Sequence, residues 1–200
     1  MSLVGHSLGG RIAWQFAARF PERVDKLVLV APDGFASGAF RYGNIPRVPR
    51  YAQLIRFTLP ALVVHLTLRW AYGNRVRPRP TFVRRYRDML LAPGVRSALP
   101  ARMTQIALSD PVPVLRRIAA PTLLLWGQVD RVISPSHAVD FAAVIPNSAI
   151  ISFPGVGHMP QDEAPEESLE AVLDFLESPP GIRAPEWMAR TDQVSSAAAP

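Results

Sequence analysis

Gly5-His6-Ser7-Leu8-Gly9-Gly10 is the first stretch of the chain whose residue types could do chemistry. Gly-x-Ser-x-Gly between a strand and a helix spells a nucleophile elbow. The backbone there reverses sharply, with the serine at the apex in a strained conformation. Gly5 and Gly9 are expected where a side chain would strike neighbouring backbone. The first turn of the following helix leaves the Leu8 N–H without an intrahelical partner, free to stabilise an oxyanion beside the serine. Other glycine motifs fail on spelling. A phosphate loop needs Gly-Lys-Ser/Thr where Gly10-Arg11-Ile12 stands, and a dinucleotide fingerprint needs a glycine in place of Ser7.

A serine hydroxyl is a poor nucleophile without a base, and the base needs an orienting acid. The chain has 4 histidines. His158 lies in Phe153-Pro154-Gly155-Val156-Gly157-His158-Met159-Pro160, a turn just past a strand and therefore at the elbow's end of a parallel sheet. His6 is inside the elbow, and its side chain is expected to point away from the serine and pack. His65 falls in an apolar helix and His137 starts another; both read as ordinary surface or core histidines. Two acids compete. Asp130 follows Trp126-Gly127-Gln128-Val129, and Asp33 follows Ala31-Pro32. Each also reads as a turn-forming aspartate. Asp130 is preferred, because an aspartate just past a strand-ending Gly-Gln can reach a histidine on the next strand's loop.

The elements that must position these residues alternate. Residues 2–4 read as the stub of a buried strand. Residues 9–20 read as a helix with Ile12, Ala13, Phe16, Ala17 and Phe20 at helical spacing, and 26–31 as a continuous apolar strand. Strand, helix, strand in this compass is a βαβ unit with parallel strands. Residues 35–117 behave differently. They are rich in proline and arginine, with candidate helices over 51–59, 60–72, 81–91 and 95–108. The strand grammar resumes at 121–127 and 149–153, with helices over 136–145 and 165–177. The last helix carries Leu169, Val172, Leu173 and Leu176 on one expected face, and acids in its first turn. From 178 onward Pro, Gly, Ala and Ser dominate, so 179–200 is expected to be a loose tail. The core is expected over 1–34 and 118–178, interrupted by the helical insertion 35–117.

Composition bounds the function. Two hundred residues, 48% hydrophobic and 19% charged, suit one domain with a real core rather than a disordered chain. With no cysteine there is no disulfide and no thiolate metal site. No cofactor and no metal are called for. No apolar run reaches the roughly 18 residues of a membrane span, and no signal peptide precedes the serine motif, so a cytoplasmic location is expected. The net charge of +6 is unevenly spread. Residues 41–117 carry 15 basic and 2 acidic side chains, and 118–200 carry 3 basic and 11 acidic. Aromatic residues are not interleaved with the basic run, so no nucleic-acid partner is expected. The basic middle is read first as a solvated arginine-biased surface. Phe57, Leu59, Leu62, Val63, Val64, Leu66, Leu68, Trp70 and Tyr72 make part of it very apolar. They form either the insertion's own core or an acyl pocket or interfacial patch, whose arginines meet anionic lipid.

With Gly5–Gly10, Phe20-Pro21-Glu22-Arg23-Val24-Asp25-Lys26-Leu27-Val28-Leu29, Trp126–Asp130 and Gly157-His158-Met159-Pro160 in place, the chain resembles the α/β-hydrolase fold family. Its likeness is to the esterase, epoxide-hydrolase and carbon–carbon-hydrolase group. The resemblance implies an α/β fold: a partial sheet of parallel strands with flanking helices and a helical cap insertion over 35–117. It implies Ser7 as nucleophile, His158 as general base and acid, Asp130 as orienting acid, and the Leu8 amide as one oxyanion donor. A serine at the elbow speaks against the family's epoxide hydrolases and haloalkane dehalogenases, which place an aspartate there. The expected substrate is a small acyl compound, cleaved at an ester-like bond through an acyl-enzyme. Hydrolysis of a carbon–carbon bond beside a carbonyl and a non-catalytic hydrolase-like fragment are the alternatives. The family's sheet begins with strands ahead of the elbow, and a loop among them supplies a second oxyanion N–H. The 200 residues are therefore expected to be the C-terminal portion of a longer hydrolase, weakly active or inactive alone and prone to aggregate. Loss of one donor typically costs about 10²–10³ in turnover.

Overall fold

In the computed structural model, residues 1–36, 41–43, 50–105 and 107–179 are described. The expected tail over 179–200 therefore lies outside the described residues except for its first position. The order is β1 (Ser2–His6), α1 (Leu8–Arg19), β2 (Lys26–Val30), α2 (Ala61–Ala71), α3 (Pro80–Leu91), α4 (Val95–Gln105), α5 (Val112–Leu115), β3 (Thr122–Gly127), α6 (Ser136–Val144), β4 (Ser148–Phe153), α7 (Pro160–Glu163) and α8 (Pro165–Glu177). The helix expected over 51–59 is represented by a 3₁₀ helix, Arg50–Arg56. The short α5 and α7 carry too few residues to show a helical period, and the sequence gives no sign of them.

The four strands form one parallel sheet in the order β1-β2-β3-β4. In β2 and β3 every residue is buried, and successive side chains leave for opposite faces. Leu27, Leu29, Leu124 and Trp126 join α1, α5 and α6 in one cluster. Val28, Val30, Leu123 and Leu125 join Phe153, Ala171 and Phe175 in the other. A layer of helices on both faces explains why these strands read as unbroken apolar runs. β1 forms one edge, and its Val4 is 59% exposed.

Two helices turn differently from their expected faces. In α1 the buried residues are Gly10, Ala13, Trp14, Ala17 and Ala18, whereas Ile12 is exposed. Trp14 draws its ridge inward, and its indole Nε1–H donates to the Asp33 carbonyl at 2.9 Å. In α8, Ser168, Ala171 and Phe175 are buried, whereas Leu169 and Leu173 face outward. The fully buried Phe175 ring sets that orientation. The chain's one lysine anchors the same helix to β2. Lys26 Nζ donates to the carbonyls of Phe175, Leu176 and Ser178 at 2.8, 2.8 and 2.6 Å, satisfying acceptors that a helix end leaves open.

The insertion between β2 and β3 has its own apolar cluster, built on Leu59, Val64, Leu68 and Val83. Only part of the apolar stretch expected there is covered. Leu59, Val64, Leu68 and Tyr72 are buried, while Phe57, Leu62, Val63, Leu66 and Trp70 are exposed. Among the described residues, no helix is long and apolar enough to cross a membrane.

Candidate active site

Parallel pairing aligns His6 with Val30, Leu125 with both Val30 and Ile151, and Gly127 with Phe153. The segments that follow the four strands therefore emerge at one end of the sheet, and they carry Ser7, Asp33, Asp130 and His158.

Ser7 occupies the apex between β1 and α1 at φ 51° and ψ −117°. A non-glycine residue at positive φ is uncommon and typically costs about 1–3 kcal/mol. Three backbone bonds hold it. The Ser7 N–H donates to the Val30 carbonyl at 2.9 Å, and the Ser7 carbonyl accepts from Asp33 at 3.0 Å and Arg11 at 3.1 Å. Gly5 is required as expected: a Cβ there would stand 2.6 Å from the Gly9 carbonyl oxygen. The expectation for Gly9 is overturned, because a Cβ at Gly9 would meet nothing within 4 Å. The second close approach belongs to Gly10, where a Cβ would come within 2.8 Å of Pro32. The elbow's tightness thus sits where α1 passes over β1 and the end of β2, and Gly9 is already on the helix's open side.

His158 Nδ1 lies 2.8 Å from Asp130 Oδ2. Facing a carboxylate, Nδ1 carries the proton, so in the neutral ring Nε2 holds the lone pair. Asp130 has no solvent-exposed side-chain surface. Its other oxygen, Oδ1, accepts the N–H groups of Val132 at 2.8 Å and Ile133 at 3.0 Å. Asp33 does not meet the imidazole. Its carboxylate lies 3.5 Å from the Arg11 guanidinium, and its backbone serves Ser7 and Trp14. Among the described residues no hydrogen bond joins the Ser7 hydroxyl to His158. The two are linked instead through the serine's chain neighbour.

That neighbour is His6, whose part goes beyond the packing expected of it. Its Nε2 lies 2.8 Å from the His158 carbonyl oxygen, and the two rings are 4.7 Å apart. A carbonyl only accepts, so His6 is protonated at Nε2. Burial, and next the charge on His158, lower the His6 pKa to about 4. No sequence signal marks this pairing, because its acceptor is a backbone carbonyl 152 residues away. His65 is exposed on α2, and His137 is buried beside Phe35. Neither joins the site. A cleft of about 470 Å³ involving α3 and α7 is lined by Tyr72, Arg79, Arg85 and Asp162, and by neither Ser7 nor His158. Among the described residues, no cluster of His, Cys, Asp or Glu could hold a metal ion.

Residues 2–165 match the family described as the alpha/beta hydrolase fold, and the chain belongs to it. An uncharacterized protein of Mycobacterium tuberculosis (strain ATCC 25618 / H37Rv) is 30% identical over 193 residues, covering 89% of this chain and 56% of that protein. A 2-hydroxy-6-oxo-6-phenylhexa-2,4-dienoate hydrolase of Burkholderia cepacia is 26% identical over 189 residues, covering 87% of this chain and 62% of that enzyme. Among solved structures, a membrane phospholipase A described as a bacterial virulence factor superimposes with a TM-score of 0.66 at 27% identity. That match covers 88% of this chain and 56% of the phospholipase. The chain thus spans little more than half the length of these proteins.

Two stability measurements check the geometry. Gly5→Ala should lower stability by about 1–3 kcal/mol through overpacking against backbone, whereas Gly9→Ala should be neutral or better in urea unfolding, since alanine is the stronger helix former. His6 sets a pH slope. Its folded pKa, about 4, lies below its ordinary 6.5, so between these values the unfolded chain binds a proton that the fold does not. Stability should be intact above about pH 6.5 and fall by up to about 3 kcal/mol as pH drops to 4. His6→Gln should flatten that segment of the curve.

Proposed function

We propose that this chain carries the reacting side chains of a serine hydrolase that cleaves an ester-like acyl bond through an acyl-enzyme. The observation that carries the proposal is the buried Asp130–His158 pair at the same sheet end as the strained Ser7. Ser7 Oγ attacks the acyl carbon and its proton passes to His158 Nε2. Nδ1–H stays on Asp130, whose charge steadies the imidazolium. The carbonyl oxygen becomes an oxyanion and accepts the Leu8 N–H. Collapse expels the leaving alkoxide, which takes the proton from Nε2. Water then enters by the same route and frees the acid. The elbow contributes one oxyanion donor, the Leu8 N–H.

A carbon–carbon hydrolase is the second reading. It is supported by the relation to the Burkholderia cepacia dienoate hydrolase. There the same three residues would break the bond beside a ketone, and the leaving carbon would take the proton.

As its surface partner we propose an anionic lipid surface. Leu62, Leu66 and Trp70 on α2, with Phe57 just before it, are 65, 56, 52 and 79% exposed. They lie within the segment that carries 15 basic and 2 acidic residues. Apolar side chains among arginines suit the boundary between headgroups and acyl chains.

A fluorophosphonate probe should label the wild-type chain at Ser7 and leave Ser7→Ala unlabelled. Asp130→Asn should cut turnover of p-nitrophenyl acetate by about 10⁴, since an amide favours the wrong imidazole tautomer. Faster turnover of 2-hydroxy-6-oxo-6-phenylhexa-2,4-dienoate than of the acetate would favour the carbon–carbon reading. A folded chain that never labels would leave the non-catalytic one. Separately, co-sedimentation with vesicles should rise with their anionic lipid content and drop several-fold in Leu66→Glu. Binding indifferent to lipid charge would remove the membrane proposal.

A further inference from the structure

The proposed reaction makes no use of one buried carboxylate that holds the main chain on both sides of His158. Glu163 ends α7 and is 4% exposed. Its Oε2 accepts the Gly73 N–H at 2.7 Å. Both of its oxygens lie 3.0 Å from the Gly157 nitrogen, and Oε1 accepts the Met159 N–H at 3.2 Å. Gly157 and Met159 flank His158 in the chain. The His158 N–H itself donates to the Ala71 carbonyl at 2.8 Å. Three consecutive N–H groups of the imidazole loop are thus tied down, two by Glu163 and one by the last residue of α2.

The same carboxylate reaches into the insertion, because Gly73 lies just past α2. The two backbone segments meet without side chains between them. A Cβ on Gly157 would strike the Ala71 carbonyl, and a Cβ on Gly73 would strike the Gly155 carbonyl. Asn74 N–H adds a bond to the Gly155 carbonyl at 2.8 Å. Buried N–H groups that converge on a point need an acceptor with no hydrogens of its own. An ionised carboxylate meets that need with about four lone-pair sites, and its bonds are charge-assisted. Glutamine would supply one acceptor oxygen and turn an NH₂ toward a donor.

We propose that Glu163 is a positioning residue that fixes the main chain of His158 and locks the end of α2 to the imidazole loop. The proposal rests on His158 being the base of the reaction above. Asp130 sets the ring's rotation and tautomer, whereas Glu163 sets where the ring's backbone stands. A displacement of about 1 Å at a reacting group can cost about 10²-fold in rate. The insertion therefore cannot shift at its α2 end without moving the imidazole.

Glu163→Gln tests this in the full chain. It should lower kcat on p-nitrophenyl acetate by about 30–100-fold, with KM changed by less than about threefold. The downfield proton resonance of the His158 Nδ1–H should shift or broaden. Amide exchange at Gly73, Gly157 and Met159 should quicken at least about tenfold while the amides of β2 and β3 stay protected. Unchanged protection at those three amides would overturn the proposal. So would faster exchange with the Nδ1–H signal and kcat both at wild-type level. If Glu163→Gln does not fold, Glu163→Asp replaces it. It keeps the charge, withdraws the carboxylate by one methylene, and should first release Gly73. A wild-type chain that neither turns over the ester nor labels at Ser7 would sink the hydrolase reading alone. The exchange and resonance measurements would still decide the part played by Glu163.

Discussion

A carboxylate taken fully out of water must find a partner for each of its oxygens, and Asp130 does so at once. Oδ1 accepts two N–H groups from the turn that follows it, and Oδ2 accepts the imidazole. The first pair of bonds is local and fixes the carboxylate on the end of β3. The last one reaches 28 residues onward and fixes His158 against it. Left unpaired, a charge at such depth would cost several kcal/mol. Burial of the Asp130 charge is therefore coupled to docking of the imidazole loop. This makes the sheet register a chemical matter. Pairing of Leu125 with Ile151, in a sheet covered on both faces, keeps the two loops abreast. A slip of one residue would turn every core side chain of β4 to the wrong face.

The elbow is an opposite kind of device, because it costs energy rather than releasing it. Ser7 at positive φ persists because β2 takes up its N–H, and Arg11 in α1 and Asp33 in the loop past β2 return bonds to its carbonyl. Glycines at 5 and 10 let the backbones close to a distance that any side chain would prevent. Strain of this kind places the serine at the apex of the turn, which suits a nucleophile that must meet a substrate.

What the sequence makes legible divides along the same line. The strands, their parallel direction and the meeting of Asp130 with His158 are readable because they leave marks in side-chain type: unbroken Val and Leu runs, a turn spelling, an acid just past a strand. The twist of α1 and α8 about their own axes is not. Ile12 and Leu169 fit an apolar stripe as well as Trp14 and Phe175 do, and only packing chooses between them. Glu163 is hidden for another reason. In Gln161-Asp162-Glu163-Ala164-Pro165-Glu166-Glu167 it looks like one more surface acid. Its partners are the N–H groups of two glycines and a methionine, which no residue type announces. His6 is masked likewise, since its acceptor is the carbonyl of His158.

These backbone-directed contacts bear on the electrostatics of the proposed reaction. When the imidazole of His158 takes a proton, a positive charge appears 4.7 Å from a second imidazole. Were His6 also charged, repulsion in a poorly solvated site would oppose the step. Burial holds His6 neutral down to about pH 4, and its one proton is committed to the His158 carbonyl. The charge that develops therefore faces the Asp130 carboxylate on one side and a neutral ring on the other. The depression of His6 and the pairing of His158 with Asp130 are two parts of one arrangement. The first keeps a cation away from the place where the second stabilises one.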